Sequence, residues 1–203
     1  MNTIITIARQ YGSGGREVGK KLAEMLGINC YDRDLITMAA EKSGMSEEAL
    51  GHVDEKAASS LLYTLVMGSN MYHSNVDQFN VPINDKLFCI QSEIIREIAE
   101  KESCVIVGRC ADYVLEGKAP TLNVFIHSDM PFKVERSVRE HNMDPEKAQN
   151  ILKRRDKARS EHYRFYTARK WGELGSYDLC LDSGRLGEDT CVELIAAAYE
   201  RLK

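Results

Sequence analysis

A β-branched run, Thr3 to Ala8, opens the chain and stops at Arg9-Gln10-Tyr11-Gly12-Ser13-Gly14-Gly15. Beyond it Val18, Leu22, Met25 and Leu26 recur at the spacing of one helix face, so the pattern predicts strand, glycine loop, helix. Ile28 to Tyr31 reads as a second short strand, and Leu35, Ile36 and Ala39 after Asp32 predict another helix. Between Ser43 and Asn80 the pattern is helical but irregular, with Ser46 placed to cap a helix and an apolar stretch at Leu61, Leu62, Leu65 and Val66. Pro82 then starts a long helix with Leu87, Ile90, Ile94 and Ile98 on one face, followed by a buried strand, Cys104 to Val107.

Leu122 to Ile126 gives a fourth strand, and Asp144-Pro145 opens a long basic helix running through Arg169. Tyr177 to Leu181 gives a fifth strand, and Val192, Ile195, Tyr199 and Leu202 mark a closing amphipathic helix. Five apolar strands alternating with helices imply an α/β fold of three layers, a five-stranded parallel sheet covered on both faces. Ligands of such sheets bind beyond the carboxyl ends of the strands. Gly12 to Arg16, Asp32 to Asp34 and Gly108 to Asp112 are therefore the candidate site segments.

Charge adds an asymmetry. The 203 residues carry a formal charge of −4, which gives no global cationic field for a nucleic-acid backbone. Yet Pro131 to Trp171 holds 12 Lys/Arg against 6 Asp/Glu, as expected of a segment that closes over an anionic ligand, or of a solvated helical face. The six cysteines show no C-x-x-C or zinc spacing, and three sit in strand-like runs, which points to free thiols in a reducing compartment. No apolar run approaches the roughly 18 residues of a membrane span. A cytoplasmic protein with no membrane or nucleic-acid partner is the expectation.

A glycine loop between strand and helix lets backbone N–H groups meet phosphate oxygens at the positive end of the helix dipole. Against G-x-x-x-x-G-K-[ST], Gly15 matches the last glycine, Gln10 replaces the first, Arg16 stands at the lysine and Glu17 at the hydroxyl. Arg16 can still pair with phosphate, and Ser13 is the nearby hydroxyl. Against G-x-G-x-x-G, Gly12 and Gly14 match, Glu17 does not, and Asp32 lies where a ribose-binding acid would stand. A nucleotide-binding oxidoreductase and a tight turn without ligand remain open on this loop alone. Glu17 would reach a metal through water or cap the helix; Asp32 would orient an acceptor or cap the helix after it.

Taken together, Ile7 to Glu17, Tyr31-Asp32, Val105 to Asp112, Arg155 to Arg159 and Tyr177 to Leu179 resemble the cytidylate kinase-like family over essentially the whole chain. The resemblance implies a P-loop core (1–42, 82–130 and 172–203) with the nucleoside-monophosphate-kinase fold, an acceptor lobe at about 43–81 and a helical lid at about 131–171. It implies ATP-dependent phosphoryl transfer to CMP or dCMP, with ATP and Mg²⁺ as cofactors and the metal carried by ATP rather than by assigned protein ligands. Gly12, Ser13, Gly14, Gly15, Arg16 and Glu17 would then wrap the ATP phosphates. Asp32, Gln91, Arg109, Asp112, Asp156 and Arg159 would serve the acceptor, with Arg96 beside Gln91.

Arg16, Arg159 and Asp156 would carry the catalysis. Neutralising the charge that develops on the transferred group accounts for most of such catalysis. Lid arginines Arg136, Arg139, Arg155, Arg164 and Arg169 would join it. Tyr163, Tyr166 and Trp171 would stack on a base or pack the core. Arg16, Glu17 and Cys110 depart from the family pattern, which keeps open a non-catalytic nucleotide-binding module or a kinase for another small acceptor. The apolar patch Leu61 to Met67 fits a homodimer interface or ordinary core packing.

Overall fold

The computed structural model describes residues 2–53 and 82–202. Its centre is a parallel sheet of five strands, β1 (Ile4–Arg9), β2 (Asn29–Tyr31), β3 (Cys104–Val107), β4 (Thr121–His127) and β5 (Leu179–Asp182), in the order β2-β3-β1-β4-β5. In the register, Ile5 stands beside Val105 on one side and Leu122 on the other. Successive residues therefore face opposite sides. Ile4, Cys104 and Ile106 pack under one helical layer while Ile5, Ile7, Val105 and Val107 pack under the other.

The first layer is made by α2 (Asp34–Ser43), α3 (Glu47–Val53) and α4 (Ile83–Lys101), with Tyr163 and Tyr166 of α7 (Pro145–Thr167) closing it. The second is made by α1 (Gly15–Leu26) and α9 (Glu188–Glu200), through Val18, Leu22, Val192, Ile195 and Tyr199. Between β4 and β5 lie α6 (Met130–His141) and α7, and the short helices α5 (Ala111–Val114) and α8 (Ser183–Leu186) follow β3 and β5. The expected three-layer α/β architecture is present.

Several local expectations shift for identifiable reasons. Met25 is 57% exposed although it shares the helical spacing of the buried Leu22; in the last turn of α1, which ends at Leu26 before the left-handed Gly27, Ala23 and Leu26 take the core side instead. The basic helix stops at Thr167 rather than Arg169: Ala168 takes φ 57° and its N–H bonds Arg164 O. Leu202 lies past α9 and is exposed. Ser46 behaves as expected, its hydroxyl accepting from Ala49 N at 3.4 Å. Leu61 to Met67 and the rest of 54–81 lie outside the described residues. All six cysteines are free thiols, and among the described residues no helix is long and apolar enough to cross a membrane.

Candidate active site

The loop after β1 is shaped by glycine and fastened from behind. Gly12 and Gly14 sit at φ 80° and 76°, and a Cβ on Gly12 would come within 2.8 Å of Ser137 Oγ, so both conformation and space exclude larger residues. The Ser13 hydroxyl donates to Gln10 O at 2.8 Å and Ile126 O at 3.2 Å, and Ser183 Oγ donates to Ser13 O at 2.5 Å. Ser13 is fully buried. Its hydroxyl therefore tethers the loop to β4 instead of facing a ligand. What the loop presents is the first turn of α1, capped by the left-handed Gly14, which makes no side-chain capping bond to the N-terminal N–H groups.

Arg16 and Glu17 each have a protein partner. Arg16 Nε lies 2.6 Å from Asp32 Oδ2, and Arg9 Nη2 lies 3.7 Å from Asp32 Oδ1. Asp32 is buried between these two cations at the end of β2. It does not cap α2, whose cap is Arg33 with no side-chain hydrogen bond. Glu17 Oε2 is 3.5 Å from Arg136 Nη2, which also meets Glu140 at 2.6 Å and Glu188 at 2.8 Å. Arg136 is 3% exposed, so three carboxylates surround one buried guanidinium behind the loop.

At the end of β3 the chain turns through three consecutive positive φ angles, Gly108 at 79°, Arg109 at 58° and Cys110 at 55°. Two of these residues carry side chains that disfavour that region. The turn is held by Gly108 N donating to Ile7 O at 3.0 Å, and it brings Arg109 to the wall of the cleft beside β1.

Helix α7 supplies the opposite wall. Asp156 Oδ1 accepts from Tyr11 N at 2.6 Å, and its Oδ2 accepts from Lys133 Nζ at 3.0 Å. Lys133, buried on α6, also donates to Gln10 Oε1 at 3.1 Å, which accepts from Ser128 N as well. Asp156 thus fastens the loop to α6 and α7. Arg159 Nη1 donates to Arg9 O at 3.1 Å, while the guanidiniums of Arg155 and Arg159 stand 4.5 and 5.4 Å from the Tyr11 ring centre.

These elements enclose a cleft of about 710 Å³ at the carboxyl ends of β1, β2 and β3. Arg9, Arg16, Arg109, Arg136, Arg155 and Arg159 line it with Gly12, Gly14, Gly15 and Asp32; α2 and α3 close its far side with Arg33, Ile36, Glu47 and Glu48. Seven arginines against four acids leave its wall net positive. A second cavity of about 30 Å³, room for a water, lies behind Arg9, Arg109 and Arg159 against Cys110, Asp112, His162 and Tyr163.

Not every expected residue reaches the cleft. Gln91 is buried on α4 and absent from its walls, and Arg96 borders a different cavity with Asn2 and Pro120, which precede β1 and β4 at the other end of the sheet. Asp112 faces the small cavity, accepts from Tyr163 Oη at 2.6 Å, and has its pKa raised by burial, with the Tyr163 hydrogen bond pulling the other way. Tyr163 and Tyr166 are core residues, 3% exposed, and Tyr166 Oη bonds the buried Asp85 at 2.8 Å. Arg139 pairs with Glu135 and Glu140 on the surface, and Arg169 with Glu116.

Conversely, Arg9 and Lys133 lie outside the candidate segments read from the sequence, whereas Arg33 falls within Asp32 to Asp34. Arg9 had a signal, a charge ending an apolar run at a strand's carboxyl end. Lys133 had none, since nothing in its neighbourhood separates it from a solvated lysine. Among the described residues no cluster of His, Cys, Asp and Glu forms a metal site.

The family model described as "Cytidylate kinase-like family" matches residues 4–185. The chain belongs to this family. Among curated relatives, a cytidylate kinase of Methanopyrus kandleri (strain AV19) is 26% identical, the match covering all of this chain and 95% of that one. Among solved structures, an uncharacterized protein from Eubacterium ventriosum superposes with a TM-score of 0.72 at 28% identity, over 98% of this chain and 99% of that one. A gluconokinase from Sinorhizobium meliloti 1021, at 16% identity and TM-score 0.53 over 99% and 93% of the chains, shares the fold. Cytidylate kinase-like membership and the parallel P-loop kinase fold agree with the cleft's place at the strand ends.

Proposed function

We propose that the protein transfers the terminal phosphoryl group of ATP to a nucleoside monophosphate, with CMP or dCMP as the acceptor. The observation that carries this reading is the convergence of Arg9, Arg16, Arg109, Arg155 and Arg159 on one cleft beside the glycine loop. Phosphoryl transfer needs two phosphate-bearing ligands held in line and their charge neutralised, and this cleft has cations on both sides of the loop. The likeness to cytidylate kinases, at 26% and 24% identity, supports CMP or dCMP as that acceptor. Arg16 and the α1 N-terminus would hold the donor phosphates, Arg109 the acceptor phosphate, and Arg155 and Arg159 the group in transfer. Asp156 would act through the loop that it anchors.

The residues do not fit a Mg²⁺ ion bound directly by the protein. Ser13 faces backbone carbonyls, Glu17 is paired with Arg136 and Asp32 with Arg16, so the metal would travel with the phosphates of ATP. That same pairing favours a second reading, a nucleotide-binding module without turnover. The test is ADP release from Mg²⁺-ATP over CMP, dCMP, UMP, AMP, GMP and shikimate. A preference for CMP or dCMP, lost in Arg16→Ala and Arg159→Ala, supports the kinase. ATP binding with no acceptor-dependent turnover supports the module.

A further inference from the structure

Tyr11 is an aromatic residue in the middle of a phosphate loop, and three residues of α7 hold it. Arg155 and Arg159, one helical turn apart and so on one face, stand over its ring at 4.5 and 5.4 Å. Asp156, between them, takes its backbone N–H at 2.6 Å. His141 of α6 approaches the same ring with centroids 6.0 Å apart. The arginines line the cleft with Tyr11. For Arg155, which is exposed, the ring is the one fixing contact among the described residues, with no ion pair or hydrogen bond. The Tyr11 hydroxyl bonds nothing among them.

We propose that Tyr11 is the positioning residue for this pair: its ring seats Arg155 and Arg159 where a ligand's phosphates enter. A free arginine spreads over many rotamers and must be ordered when a ligand arrives. A guanidinium resting on an aromatic face is ordered beforehand, and the attraction comes from the ring quadrupole, not from the hydroxyl. The Asp156 bond fixes the backbone of Tyr11 so that ring and helix keep one register. The role rests on the proposed phosphate-binding function of the cleft, but its geometry does not.

Two readouts separate the claims. Calorimetric titration of ATP is run on the parent, Tyr11→Phe, Tyr11→Leu, Arg155→Met and the double variant Tyr11→Leu/Arg155→Met, each checked for an unchanged unfolding midpoint. Tyr11→Leu weakens binding about three- to tenfold, as expected for losing exposed cation–π contacts, and Tyr11→Phe restores it. The losses in the double variant are less than additive, because the part of the ring's effect that passes through Arg155 is already gone. Additive losses, or parent-like binding by Tyr11→Leu, overturn the proposal. The second readout is the NMR shift of Arg155 Nε–Hε without ligand. A ring-current displacement present in the parent and Tyr11→Phe and absent in Tyr11→Leu supports the seating, and its absence from the parent refutes it. A parent that binds no ATP defeats the proposed function, and the NMR shift still decides the role of Tyr11.

Discussion

Arg16 Nε and Asp32 Oδ2 stand 2.6 Å apart at an angle that makes no hydrogen bond. The carboxylate neutralises the arginine without satisfying its geometry. On the proposed function, Asp32 would take the electrostatic place of an incoming phosphate and leave the directed bonds of the guanidinium to the ligand. Such a pair opposes binding by whatever it costs to break.

Asp32→Asn removes that competition. Its expected effect is tighter ATP binding, by about three- to tenfold, equivalent to about 0.7–1.4 kcal/mol, measured by calorimetry at fixed salt. Weaker binding would show that Asp32 aligns Arg16 for phosphate instead of holding it back.

The loop predicts a different kind of loss. Gly12→Ala forces a side chain into the left-handed region and within 2.8 Å of Ser137 Oγ and 3.0 Å of Lys133 O. A destabilisation of about 1–3 kcal/mol is expected, with nucleotide binding lost at temperatures where the variant is still folded. Urea unfolding and titration on the same sample separate the two effects.

Lys133 and Arg139, both cations of α6, should respond very differently. Lys133→Met strands the Asp156 carboxylate beside a buried methionine, and removal of one partner of a buried pair costs about 3–5 kcal/mol. Arg139→Met removes an exposed pair, for which less than about 1 kcal/mol is expected. Equal losses in chemical denaturation would mean that the buried network is not what fastens the loop.

Asp112 carries a pH dependence whose sign follows from its raised pKa. Below its ordinary value of 3.8 the carboxyl is protonated in both states and costs nothing. As pH rises through the window between that value and the folded-state value, the unfolded chain ionises first and stability falls. Asp112→Asn, which still accepts from Tyr163 Oη, should flatten this decline, so that its gain over the parent grows from pH 4 upward. A difference between the two unfolding curves that stays constant from pH 4 to 8 would refute it.

These residues also show where a sequence can be read and where it cannot. The apolar runs Thr3 to Ala8 and Cys104 to Val107 read as strands, and β1 and β3 stand there, because a parallel strand covered on both faces is apolar almost throughout. The glycines at 12 and 14 were legible for a similar reason, since few other residues adopt those angles. Partner choice was not legible. Ser13, Glu17 and Asp156 all stand in the motif, yet each is occupied by a residue from a distant part of the chain, Ile126, Arg136 and Lys133 respectively. Spacing fixes which element carries a charge; only the packing of α6 and α7 against the loop fixes what that charge meets.

The Asp156–Tyr11 and Lys133–Gln10 bonds tie α6 and α7 to the backbone and side chains of the phosphate loop itself. Outward motion of these two helices would break both bonds and unfasten the loop, which on the proposed function is the floor under a nucleotide. On the proposed function, release of product would be coupled to slackening of the loop. A ligand that grips the loop would slow its own escape by locking the door through which it leaves.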